Sequence, residues 1–152
     1  MKRRFKIISG GQTGVDRAAL EWALVHDVPH GGWCPRGRKA EDGRIPAEFN
    51  LTEARTSDYA VRTRWNIRDS DGTVIFSAGL ELNGGSWLTW ELAQLQGKPR
   101  LHLQRSQCVA KAVRRLGRFI EQYGIVTLNV AGPRSSEEPE TPFLYVSCCR
   151  AP

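Results

Sequence analysis

The chain switches between two hydrophobic periods, and the switches mark out its elements. Phe5-Lys6-Ile7-Ile8 is a short apolar run that breaks into Ser9-Gly10-Gly11, the pattern of a buried strand ending in a tight turn. From Val15 the spacing becomes helical. Val15, Ala18, Ala19, Trp22 and Val25 fall on one stripe, Asp16 sits in the first turn, and Val28-Pro29 ends the helix. A second helix is expected from about Asp58 to Ile67, with Ser57 as its N-cap. Asp69-Ser70-Asp71-Gly72 reads as a turn, and Thr73-Val74-Ile75-Phe76-Ser77 is the clearest strand. A loop over Ala78 to Ser86 then leads to Trp87, Leu88, Leu92 and Leu95 at helical spacing, stopped by Gly97-Lys98-Pro99. Arg100-Leu101-His102-Leu103 is a short strand. Ser106 is the expected cap of a helix with Val109, Val113, Leu116, Ile120 and Tyr123 on one face and Gly124 at its end. Ile125 to Val130 is the last strand, before Ala131-Gly132-Pro133-Arg134.

Strands alternating with helices predict an α/β fold whose mostly parallel sheet is covered on both faces. Such sheets bind ligands beyond the carboxyl ends of their strands. Three segments here leave strand ends with special residues: Ser9 to Asp16, Gly79 to Glu91, and Asn129 to Arg134. The length of 152 residues fits one domain over 1–152. No apolar run approaches the ~20 residues of a membrane span, and the N-terminal apolar stretch is too short for a signal-peptide core, so a cytoplasmic location is expected. The net charge of +6 favours an anionic partner without saying which. Cys34, Cys108, Cys148 and Cys149 show no metal-ligand spacing. His26 and His30 are four apart but separated by Pro29, so no metal site is expected.

Ser9-Gly10-Gly11-Gln12-Thr13-Gly14-Val15-Asp16 is the strongest local signal. Glycines between a strand and a helix let backbone approach an anion, and the helix start offers unpaired N–H groups. An ordinary strand-to-helix turn would also use them. Gly84-Gly85-Ser86, with Thr89 and Glu91 beyond, is a second loop of this kind, for which Ser86 as a plain N-cap is the simpler reading. Two such loops in so small a chain favour a shared site. Arg36 and Arg38 lie in a basic loop with Lys39, where a guanidinium fork suits phosphate and a solvated charge run is the alternative. Tyr59, Arg62 and Asn66 share a helix stripe and read as ligand contacts. Lys111, Arg114, Arg115 and Arg118 form the polar face of a helix; with no contiguous basic surface, nucleic acid is not the expected partner.

Ile8-Ser9-Gly10-Gly11-Gln12-Thr13-Gly14-Val15-Asp16-Arg17-Ala18-Ala19, His30 to Arg38 with Ala40-Glu41-Asp42-Gly43, Arg62-Thr63-x-Trp65-Asn66, Arg68 to Thr73, and Leu128-Asn129-Val130-Ala131-Gly132-Pro133-Arg134 together resemble the molybdenum-cofactor carrier proteins. These form a circularly permuted branch of the Rossmann-like superfamily that includes the lonely-guy, or lysine-decarboxylase-like, proteins. The resemblance spans most of residues 5–134. It implies a Rossmann-like three-layer fold, a homo-oligomer, and a site for molybdenum cofactor (molybdopterin), molybdate or another small anion, with a molybdoenzyme or cofactor-biosynthesis protein as partner. The lonely-guy relatives carry Pro-Gly-Gly-x-Gly-Thr-x-x-Glu and hydrolyse nucleoside monophosphates. Here Asn83-Gly84-Gly85-Ser86-Trp87-Leu88-Thr89-Trp90-Glu91 keeps the glycine pair and the Glu but lacks the Pro and the Gly-Thr pair.

The sequence therefore predicts a binding protein rather than a catalyst. Gly10, Gly11, Gln12, Thr13, Gly14 and Asp16 would form one wall of the site and Gly84, Gly85, Ser86 and Thr89 the other. Arg36, Arg38, Arg62 and Arg134 would neutralise charge, while Asn66, Asn129 and Gly132 complete the lining. The alternative is a nucleoside monophosphate phosphoribohydrolase with Glu91 as its acid–base group.

Overall fold

The computed structural model describes residues 4–105, 108–142 and 146. Its elements run β1 (Lys6–Ile8), α1 (Val15–Val25), β2 (His30–Gly31), β3 (Trp33–Cys34), a 3-10 turn at Arg36–Arg38, β4 (Lys39–Ala40), β5 (Gly43–Arg44), β6 (Thr52–Glu53) and α2 (Tyr59–Arg68). Then come β7 (Gly72–Ser77), α3 (Gly84–Leu95), β8 (Arg100–Gln104), α4 (Val109–Tyr123) and β9 (Thr127–Ala131). Five strands form a parallel sheet in the order β2-β1-β9-β7-β8. Helices cover both faces, which makes a Rossmann-like three-layer fold. Among the described residues no helix is long and apolar enough to cross a membrane.

The register gives the sheet two unlike faces. Ile7 pairs with Leu128, Val74 with Val130 and Leu101, and Phe76 with Leu103, so these side chains share one face. They pack on Val15, Ala18, Ala19 and Ala23 of α1 and on Ala112 and Phe119 of α4. The other face carries Thr73, Ser77, Asn129 and His102 at alternate positions and lies beneath α2 and α3. Thr63, Asn66, Ser86 and Thr89 of those helices are buried as well. One interlayer is thus a hydrocarbon core, and the other mixes hydroxyls and amides with Ile8, Ile67 and Ile75.

Several boundaries differ from the sequence reading for local reasons. Asp58, not Ser57, caps α2, its carboxylate accepting from the Ala60 N–H at 2.9 Å. The α3 helix begins at Gly84 with Asn83 as its N-cap. Ser86, expected as that cap, instead sits in the first turn. Trp87 and Leu95, two of the apolar residues at helical spacing, are 50% and 81% exposed. The last strand starts at Thr127 because Asp71 accepts the N–H groups of Val126 and Thr127 at 3.0 and 2.7 Å, stitching the turn before β7 to the start of β9. The expected Ser106 cap lies outside the described residues. Four two-residue strands between Trp33 and Glu53 had no periodic signal; β3 pairs parallel with β6, and β4 antiparallel with β5.

Gly14 closes the fold at the strand ends. Its φ of +83° suits glycine, and a Cβ there would lie 2.4 Å from the Pro133 carbonyl oxygen. Gly14→Ala is expected to cost about 1–3 kcal/mol in urea unfolding. Gly117→Ala, in mid-α4 with open space where its Cβ would sit, should stabilise by up to about 1 kcal/mol.

Candidate functional site

The β1–α1 and α3 loops meet in one cleft over the carboxyl ends of β1 and β9. Gln12 and Asp16 line it from the first loop, Tyr59, Arg62 and Thr63 from α2, Gly85, Ser86 and Thr89 from α3, and Ala131 to Arg134 from the segment after β9. An inner extension reaches Gly10, Asn66 and Asn129.

The innermost feature is an ion pair. Arg62 Nη1 lies 3.3 Å from Asp16 Oδ2, which also accepts the Gln12 N–H at 3.2 Å. The guanidinium rests against the Cα of Gly10, where any Cβ would fall 1.4 Å from Nη1. Asp16 is 4% exposed. Burial pushes its carboxyl pKa up, and Arg62 opposes that push.

The first loop's glycines serve a different purpose from the expected one. Gly11 faces Leu51 and Ile45, and Gly14 faces the Pro133 carbonyl, so both admit neighbouring protein atoms. The N–H groups of Gln12, Thr13 and Val15 go to Asp16 Oδ2, Gln12 Oε1 and Pro133 O. The cradle is therefore built mainly from side chains. Gln12 Oε1 accepts the N–H groups of Thr13 at 3.0 Å and Glu41 at 2.9 Å. This fixes the amide orientation and turns Nε2 into a buried donor with no partner. Arg62 Nε and Ser86 Oγ are likewise buried and unpartnered. The neighbouring hydroxyls are occupied: Thr63 donates to Tyr59 O and Thr89 to Gly85 O, each at 2.8 Å.

Three cations gather at the outer cleft, one of them, Arg134, paired at 3.5 Å with Glu137, which also lines it. Lys39 Nζ, Arg62 Cζ and Arg134 Cζ lie 5.9, 5.7 and 5.6 Å from the centre of the Tyr59 ring. A carboxylate ties the covering segments together. Glu41 accepts from the Thr13 hydroxyl, from Ser136 N–H at 3.1 Å and from the Ser136 hydroxyl at 2.5 Å. These bonds, that of the Ser136 hydroxyl foremost, hold the Glu41 pKa below its ordinary value.

Other expected contacts are placed elsewhere. Arg38 is buried and donates to the carbonyls of Ile45, Pro46, Phe49 and Leu51, so its guanidinium folds the 45–51 loop instead of meeting a ligand. Arg36 is exposed and does not line the cleft. Asn66 is matched to the backbone of Trp33, accepting its N–H at 2.7 Å and donating to its carbonyl at 2.9 Å. The Asn129 amide donates to Thr73 Oγ1 at 3.1 Å. Gly84 falls outside the cleft. Glu91 is two residues beyond Thr89, about 200° round the helix, and does not line it either. Among the described residues no group of three or more His, Cys, Asp or Glu side chains is arranged to hold a metal ion. The reading of the sequence missed Thr63, four residues after Tyr59 on the stripe it had marked, and the Glu41–Ser136 link, for which the sequence gives no signal.

Two expectations follow. A carboxyl whose folded pKa is raised contributes stability that is full below its unfolded pKa near 3.8 and is lost as pH rises through the folded value. Urea unfolding of Asp16→Asn should therefore gain on the parent protein as pH rises above about 4; a gap moving the other way would mean that Arg62 outweighs burial. Arg38→Ala should lose more than about 2 kcal/mol by stranding buried carbonyls, whereas Arg36→Ala should stay within about 0.5 kcal/mol.

The comparisons with known proteins agree with this architecture. A crystal structure from Syntrophus aciditrophicus SB, described as a "Putative molybdenum carrier protein", is 44% identical and superposes with a TM-score of 0.93 over 97% of this chain and 93% of that one. No curated protein matches. The model of the circularly permutated YpsA SLOG family matches residues 7–145, and the chain belongs to that family.

Proposed function

We propose that the protein binds and carries an anionic, phosphate-bearing cofactor, and that molybdenum cofactor is the cargo. The observation that carries this reading is that Gln12, Arg62 and Ser86, each with a buried polar atom without a partner (Nε2, Nε and Oγ), all line one cleft. An unmet buried donor costs about 1–3 kcal/mol, so three around one space are explained by an acceptor-rich group that fills it. A phosphate monoester fits that donor set, and Arg62 with Arg134 and Lys39 beyond it would balance the charge. The name of the Syntrophus structure supports the choice of cargo. A homo-oligomer, and hand-over to a molybdoenzyme or a cofactor-biosynthesis protein, belong to the same proposal.

The hydrolase alternative requires Glu91 beside the ligand, and Glu91 is not among the residues that line the cleft. Incubation with AMP and related monophosphates should release no free base; release that Glu91→Gln removes would replace the carrier reading.

The direct test is mass spectrometry of ligand co-purified without oxygen, followed by calorimetric titration. Gln12→Ala and Ser86→Ala should each weaken binding by about 1.5–3 kcal/mol, the scale of a hydrogen bond to a charged group. Arg118→Ala, exposed on α4, should change little. A loss at Arg118→Ala with none at Gln12→Ala or Ser86→Ala would point to diffuse charge attraction and remove the cradle.

A further inference from the structure

A separate hollow of about 440 Å³ lies at the other end of the sheet, where β1 and β2 begin with Lys6 and His30. Three charged side chains, Arg4, Lys6 and Asp27, line it together with His30 and an apolar wall that includes Leu24 and Val28. It shares no lining residue with the cleft, and a concavity of this size suits a small molecule. Opposite charges around one space usually close on each other. Here they do not: among the described residues Arg4, Lys6 and Asp27 take no part in an ion pair or a side-chain hydrogen bond.

Each charge is held in place by its surroundings. Asp27 follows His26, the C-cap of α1, and has φ +53°. The Val28 N–H returns to the Ala23 carbonyl at 2.8 Å and the Asp27 N–H to that of Leu24 at 3.4 Å, the left-handed helix ending at which glycine is the usual residue. An aspartate there is less favourable than glycine, and its carboxylate makes no bond that offsets the cost. No basic residue stands in the last turn of α1, so the negative end of the helix dipole is uncompensated beside that carboxylate. On the strand side, Lys6 Nζ lies over Gly31, where a Cβ would fall 3.2 Å from it. His30 Nε2 accepts the Asn50 N–H at 3.2 Å, which puts the ring proton on Nδ1 and makes His30 a further donor. The hollow thus has a cationic side at the strand starts and an anionic side at the end of α1.

We propose that this hollow binds a zwitterion, a free α-amino acid with an apolar side chain. The ligand's carboxylate goes to Lys6 and Arg4, and its ammonium to Asp27 and the last turn of α1. Its side chain covers the apolar wall, where Leu24 is 43% exposed. A plain anion would be repelled by Asp27 and a plain cation by Lys6 and Arg4, so a ligand carrying both charges matches both sides. The same reading accounts for an aspartate at a position made for glycine, since binding residues are commonly kept at a cost in stability. The site stands apart from the cleft and does not depend on what the cleft carries.

L-Leucine and L-phenylalanine are titrated by calorimetry against the intact protein. Each is compared with its analogues lacking the ammonium (isocaproate, phenylpropionate) or the carboxylate (isopentylamine, phenethylamine). At least one of the two amino acids should bind, about tenfold or more tightly than either of its analogues, as expected when a charge-assisted bond is lost. Asp27→Asn, which tolerates the left-handed backbone, and Lys6→Gln should each weaken that binding by about tenfold or more. Asp27→Gly should weaken it as much while raising the urea midpoint, which separates loss of the ligand from loss of the fold. Arg118→Ala should leave it unchanged. The proposal is overturned if neither amino acid binds at millimolar concentration, or if an analogue binds as well as its parent. It is also overturned if the affinity survives Asp27→Asn, and an affinity that falls in Ser86→Ala instead places the amino acid in the cleft.

Discussion

A buried carboxylate must have a cation beside it or give up its charge, and the strand-end side of this protein is arranged around that requirement. Asp16 sits in the first turn of α1, and Arg62 reaches it from α2, forty-six residues along the chain. Their pairing carries α2 across the first loop and sets the guanidinium against Gly10, with its Nε buried and without a partner. Removing one member of such a pair leaves a stranded charge, which typically costs about 3–5 kcal/mol. The pair therefore positions the binding surface as much as it belongs to it.

The division of the sheet into an apolar and a polar face follows the same logic. On the α1–α4 side, Ile7, Val74, Phe76, Leu128 and Val130 form a dry core, the main source of stabilisation. On the α2–α3 side, Thr73 and Asn129 bond each other, Ser77 bonds His102, and Asn66 bonds the Trp33 backbone. Buried polar groups of this kind are tolerable because they are matched. The matching stops at Gln12, Arg62 and Ser86, so the site is where a paired polar layer runs out of protein partners.

The strand–helix alternation and the three special loops were legible because a parallel sheet imposes periodicity and puts its ligand loops at strand ends. Tyr59 and Arg62 were legible for a similar reason, since helical spacing alone puts them on one face. The uses of the glycines and arginines were not. Gly10 and Gly14 look like ligand glycines, yet the atoms that press on them belong to Arg62 and Pro133, distant in sequence. Arg38 resembles a phosphate clamp until the 45–51 loop folds back over it and presents four carbonyls. The exposure of Trp87 and Leu95 was equally hidden, because an apolar stripe on a helix reads the same whether it faces the core or a ligand groove.

Gly10 and Arg62 also bind the history of two positions together. A side chain can enter position 10 only if the guanidinium leaves the space it fills, and once it leaves, Asp16 loses its counter-charge. A side chain at position 10 is therefore blocked unless the pair of Arg62 and Asp16 changes with it. A lineage that admitted a side chain there would have to replace the pair together with it, and in doing so it would reshape the wall of its cleft.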